Sequence, residues 1–97
     1  MSENIDHIVH QCKKGKRKFQ SQLYHLFAER LYNAALRYGQ NEAEVRDHVH
    51  DAFIKIFTKI NAYQGNGYQI YNWMLRIVIN EILQQKRKNH KIVFVEN

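Results

Sequence analysis

The chain has 97 residues, 44% hydrophobic and 12% aromatic, which suits one domain with its own core and argues against disorder. Proline is absent and only four glycines occur, which argues against a turn-rich β fold. Fifteen basic against nine acidic residues give a net charge of +6, which fits nucleic acid or another polyanion as partner and equally a solvated basic surface.

Four helices are predicted, giving an all-α fold: a compact bundle of about four helices over residues 1–97. The first runs from about Glu3 to Lys14, with Ile5, Ile8, Val9 and Cys12 on one face, and stops at Gly15. Lys13 to Lys18, "KKGKRK", forms a basic elbow. The second runs from about Arg17 to Tyr38, with Phe19, Leu23, Phe27, Leu31, Ala34, Ala35 and Tyr38 at helical spacing. Gly39 is expected to close it in the left-handed conformation.

Asn41, with Glu44 three residues on, predicts an N-cap for the third helix, which runs to about Ile60. Val45, Val49, Ala52, Phe53, Ile56 and Ile60 form its core stripe. Ile54 lies opposite, beside Asp47, His50, Asp51 and Lys55, which fits either a singly exposed isoleucine or an apolar anchor ringed by polar groups. "NAYQGNGYQ", Asn61 to Gln69, is the long loop.

The fourth helix is expected to reach about Asn89, with "KIVFVEN" as an extended tail. Met74, Leu75, Val78, Ile79 and Ile82 supply its apolar side. Trp73, Arg76, Asn80, Gln84 and Arg87 form a second stripe at spacings of +3, +4, +4 and +3. A helix that needed only solubility would not line up an indole, a guanidinium and amides.

Charge is segregated along the chain. Residues 1–40 carry 7 basic and 3 acidic groups, residues 41–70 carry 3 and 4, and residues 71–97 carry 5 and 2. Cys12 is the only cysteine, so no internal disulfide forms and a reducing cytoplasm is expected. No apolar run approaches about 20 residues, so neither a signal peptide nor a membrane span is predicted.

Catalytic and metal chemistry find little support. His7 and His10, and His48 and His50, are scattered and give no convergent ligand set. Asp47 and Asp51 beside His48 read as a solvated face, and no phosphate-binding glycine loop occurs. No enzyme, cofactor or metal is expected.

The loop and fourth helix carry the strongest constellation. Tyr63, Tyr68, Tyr71 and Trp73 fall within eleven residues, ahead of Arg76, Asn80 and the basic run "QQKRKNHK". Aromatic rings flanked by cations suit unstacked bases of a single strand, and an Asn amide suits a base edge. The alternative is that Tyr71 and Trp73 cap the core, as one or two of these rings are expected to do. Lys86, Arg87, Lys88 and Lys91 suit phosphates.

Together these segments resemble region 2 of bacterial sigma-70-type RNA polymerase sigma factors, most closely the extracytoplasmic-function group. "CKKGKRKFQSQLYHLFAERLYNAALRY" is similar to that group's opening Lys-Lys-Gly turn and long helix. "DHVHDAFIKIF" is similar to its Asp-Leu-Val-Gln-Glu-x-Phe-Leu signature and the aromatic after it, through Asp47, Val49, Phe53, Ile54 and Phe57. "YNWMLRIVIN" is similar to its Trp-Leu-x-Arg-Ile-Ala-x-Asn signature, through Trp73, Arg76, Ile77 and Asn80.

The resemblance implies a third helix that docks on the clamp helices of the polymerase largest subunit through Asp47, His50, Asp51, Ile54, Lys55 and Phe57. It implies capture of the non-template strand of the minus-ten promoter element by the loop and fourth helix, with Gln84 included. His50 and Asp51 replace the family's Gln and Glu, and Val78 its usual Ala. The family's second helical domain has no counterpart after Lys91. Two other readings fit the residues: a module that binds an anti-sigma factor without opening DNA, and a general basic nucleic-acid-binding domain.

Overall fold

Helix α1 (Ile5–Lys13) starts where Asn4 caps it, its side-chain oxygen accepting the His7 N–H at 3.1 Å. Residues 4–39, 41–67 and 69–96 are described by this computed structural model, with side chains as far as residue 88. Helix α2 covers Arg17–Ala35, α3 covers Glu42–Lys59, a 3-10 turn follows at Ile60–Ala62, and α4 covers Ile70–Glu96. Among the described residues the fold is helices joined by turns, as expected.

The predicted cap of α3 is present: Asn41 Oδ1 accepts the Glu44 N–H at 3.1 Å. Glu42 and Glu44 add negative charge where the helix dipole favours it. The end of α2 differs from expectation. Its last residues, Leu36 to Tyr38, form a turn, and Tyr38 is 40% exposed instead of packed. Gly39 does not take the left-handed conformation; the positive φ among the described residues belongs to Gly15, at +77°. Gly39 is needed for closeness, because a Cβ there would overlap the Val45 side chain.

The predicted extended tail is also corrected, for α4 continues through Lys91 to Glu96. Nothing between Gln69 and Glu96 is glycine or proline, so each added residue gains a backbone hydrogen bond at little cost. The β-branched residues there lower helix propensity only slightly.

The core lies where α4 packs on both α2 and α3, with α1 covering α2 and the 3-10 turn. Ile8, Val9 and Cys12 enter from α1, Leu23, Phe27, Leu31 and Ala35 from α2, and Val45, Val49, Ala52, Phe53 and Ile56 from α3. Ile70, Met74, Val78 and Ile82 form the four-residue ladder of α4. Each large side chain so buried contributes roughly 1.5–3 kcal/mol. Burial also pushes the Cys12 thiol up to about 11, which keeps it neutral and unreactive. Among the described residues no helix is long and apolar enough to cross a membrane.

Candidate functional site

Two surfaces emerge from this packing. The first is built where the loop meets the start of α4. An open cleft of about 400 Å³ is bounded by Gln64, Gly65 and Gln69 from the loop and Asn72, Trp73 and Arg76 from α4. Tyr63 forms its floor. The half-buried Trp73 ring leans on Tyr63, with centroids 5.1 Å apart. Beyond the cleft, Asn80, Gln84 and Arg87 continue along the exposed side of α4, and Lys86 and Lys88 flank them. The predicted stripe is therefore a real surface, and its N-terminal end opens into a cavity.

Of the other predicted rings, Tyr63 is buried beneath the cleft and Tyr71 faces away from it. Tyr63 is only 5% exposed, with its hydroxyl donating to the Asn66 carbonyl, so its face is spent on the core and on Trp73. Tyr71 turns to the other side of α4. It packs near Phe27 of α2, centroids 6.1 Å apart, beneath the Arg30 guanidinium at 4.2 Å. Trp73 and Tyr71 are two residues apart on a helix, so roughly 200° separates them and one cleft cannot hold both. Tyr68 and the Lys91 side chain lie outside the described residues. Gln64, Gln69 and Asn72 line the cleft without having been predicted; Asn72, one turn before Arg76 on the same stripe, was legible from the wheel.

The second surface runs between α2 and α3. Ile54 is 62% exposed, far from the core stripe of its own helix. It borders an open groove of about 390 Å³, together with His50, Phe53 and Phe57 of α3 and Arg17, Gln20 and Tyr24 of α2. Tyr24 stands edge-on to Phe53 at 4.8 Å and to His50 at 6.2 Å. Asp47 and Asp51 are exposed beside it, whereas Phe57 is half-buried. The α2 contribution was not predicted, since only tertiary packing brings Arg17, Gln20 and Tyr24 to Ile54.

Lys55 does not belong to that face. Its ammonium reaches back to α4, 2.5 Å from Glu81 Oε1 and 3.4 Å from the Gln84 amide oxygen. Glu81 is 4% exposed, and its other oxygen accepts from Gln85 Nε2 at 3.2 Å. Burial pushes its carboxyl up, but hydrogen bonds from Lys55 and Gln85 and the charges of Lys55 and His48 outweigh this and hold it below the ordinary range. A sequence signal existed: Glu81 falls seven residues after Met74, in the middle of the apolar side of α4.

The fold also gathers histidine and carboxylates that looked scattered. His48, Asp51 and Glu81 bring potential ligand atoms within 4.8 Å of one another. The buried carboxylate of that group already has a cation, the Lys55 ammonium. The Lys55–Glu81 ion pair therefore joins α3 to α4, with His48 and Asp51 close by.

A family model described as Sigma-70 region 2 matches residues 23–92. No curated protein and no solved structure matches the chain.

Proposed function

The chain belongs to the sigma-70 region 2 family, and from that premise we propose that it docks on core RNA polymerase through the Ile54 face and holds one strand of promoter DNA along α4. The family acts in transcription initiation and does so without enzymatic chemistry. The observation that carries the proposal is the continuity of the cleft with the exposed stripe. Trp73 and Arg76 line the cleft, and Asn80, Gln84 and Arg87 follow on the same side.

These groups suit an unpaired strand. Base edges of an intact duplex lie inside its grooves, whereas an extruded base reaches a side-chain cleft, at a cost of a few kcal/mol that a single strand does not incur. Lys86, Arg87 and Lys88 attract phosphates and leave sequence to Arg76 and Asn80. The expected result is tighter binding of a minus-ten-type non-template oligonucleotide than of its complement or the duplex. Asn80→Ala should cost about 1–3 kcal/mol of discrimination at one base and little on a scrambled strand. Fluorescence anisotropy with the three DNAs decides; equal binding to all, unchanged by Asn80→Ala, would reject strand capture.

For the other surface, Ile54→Ala should weaken binding to a clamp-helix fragment of the polymerase largest subunit by about 1–2 kcal/mol. The wet position of Ile54 leaves stability within about 0.5 kcal/mol. Titration calorimetry against the fragment, paired with urea melts, separates the two effects. An undiminished affinity would remove Ile54 from the docking face.

A further inference from the structure

The loop that borders the cleft is held from outside by the first helix of the chain. Lys13 Nζ, at the end of α1, donates to the Tyr63 carbonyl at 2.5 Å. Asp6 Oδ1, in its first turn, accepts the Gly67 N–H at 2.5 Å. These contacts span 50 and 61 residues of sequence and grip the loop at both ends of Gln64, Gly65 and Asn66. The approach is close enough that a Cβ on Gly67 would lie 2.9 Å from Asp6 Oδ1 and 3.1 Å from Ile5 Cβ. Inside the grip, Asn66 Oδ1 accepts the Gln69 N–H at 3.2 Å, which leads the loop into α4.

We propose that α1 is a positioning element for strand capture: Asp6 and Lys13 fix the loop backbone in the shape that leaves the cleft open beside Trp73. The inference rests on reading the cleft as the strand site. Neither contact is needed to dock α1, which is anchored by the buried Ile8, Val9 and Cys12. The Asp6 contact is exposed and adds little stability, and the Lys13 contact is only partly buried. A carboxylate at the edge of a surface that attracts phosphates works against binding unless it has a separate task, and holding the Gly67 amide is such a task. The Tyr63 hydroxyl is pushed up by burial and then by the Asp6 charge, as expected if α1 and the loop floor share one environment. Asp6 and Lys13 both precede residue 23, where the family match begins.

The test uses the 97-residue chain with Asp6→Ala, Asp6→Asn and Lys13→Met. Amide exchange at Gly67 and emission of Trp73, the sole tryptophan, report the loop without DNA. Anisotropy with the minus-ten-type strand and a scrambled strand reports function. Asp6→Ala and Lys13→Met should speed Gly67 exchange and lower the matched-to-scrambled affinity ratio about tenfold, a full base contact's worth. Asp6→Asn, which keeps an acceptor oxygen, should restore both. If Asp6→Asn behaves as Asp6→Ala, the carboxylate acts only as a helix-end charge and the inference fails. Unchanged discrimination in Asp6→Ala, from a wild type that does discriminate, overturns it too. A wild type that prefers no strand instead overturns the strand-capture reading beneath it.

Discussion

Ile56→Ala is expected to lower the unfolding free energy by about 2–5 kcal/mol, the range for truncating a fully buried aliphatic side chain. Ile56 has no exposed surface and belongs to the buried core, whereas Ile54, two residues earlier, is 62% exposed. Removing the same atoms from the two positions therefore separates packing from docking. The Ile56 variant should keep its affinity for the clamp-helix fragment while folded, and the Ile54 variant should keep its stability. Urea midpoints on both variants check the contrast, with an unchanged slope confirming that the loss is in the native state. A loss below about 1 kcal/mol at Ile56 would mean that the core of α3 faces another way.

Lys55→Met should cost about 2–3 kcal/mol at neutral pH. Breaking a buried pair typically costs 3–5 kcal/mol because it strands the remaining charge. The lower figure applies because the Lys55 side chain is 44% exposed and water screens part of the attraction. The pH dependence follows from Glu81, whose carboxyl is held low in the folded state. Its contribution is present above the unfolded carboxylate value of about 4.3 and is lost as pH falls through the lower folded value. Without Lys55, burial drives the carboxyl upward and it takes a proton at higher pH. The gap between wild type and Lys55→Met should thus be widest near neutrality and close on acidification. Replacing both partners, Lys55→Met with Glu81→Leu, should recover most of the loss, since an apolar pair leaves no stranded charge. A pH-independent gap would show that Lys55 stabilises through its stem alone.

The parts of the fold that were legible rest on local rules. Asn41 and Glu44 share one turn, so the start of α3 could be placed, and the exposure of Ile54 follows from its angle on the α3 wheel. The same arithmetic found the Arg76, Asn80, Gln84 and Arg87 side of α4. What failed depended on distant residues. Tyr63 looked available for stacking because nothing local shows that Trp73 packs on its ring and that the Lys13 ammonium lies over it, 5.9 Å from the centroid. Tyr71 is taken by Phe27 and Arg30, some forty residues earlier. Lys55 was assigned by angle to the Ile54 face, yet a flexible stem follows the nearest buried carboxylate, and that carboxylate is on α4. The continuation of α4 past Asn89 was misjudged for a different reason: apolar β-branched residues suggested an extended segment where no stop signal stood.

That uninterrupted helix acts as a ruler. From Arg76 to Arg87 is eleven residues, about 16 Å of rise and a net rotation of only about 20°. The groups proposed to meet bases and those proposed to meet phosphates are thus held in register by backbone hydrogen bonds alone, with no joint between them. The length of strand that fits is set by that spacing, and the DNA must adapt to it. One residue inserted between Asn80 and Lys86 would leave every side chain present and every charge intact, yet swing the cations about 100° out of line.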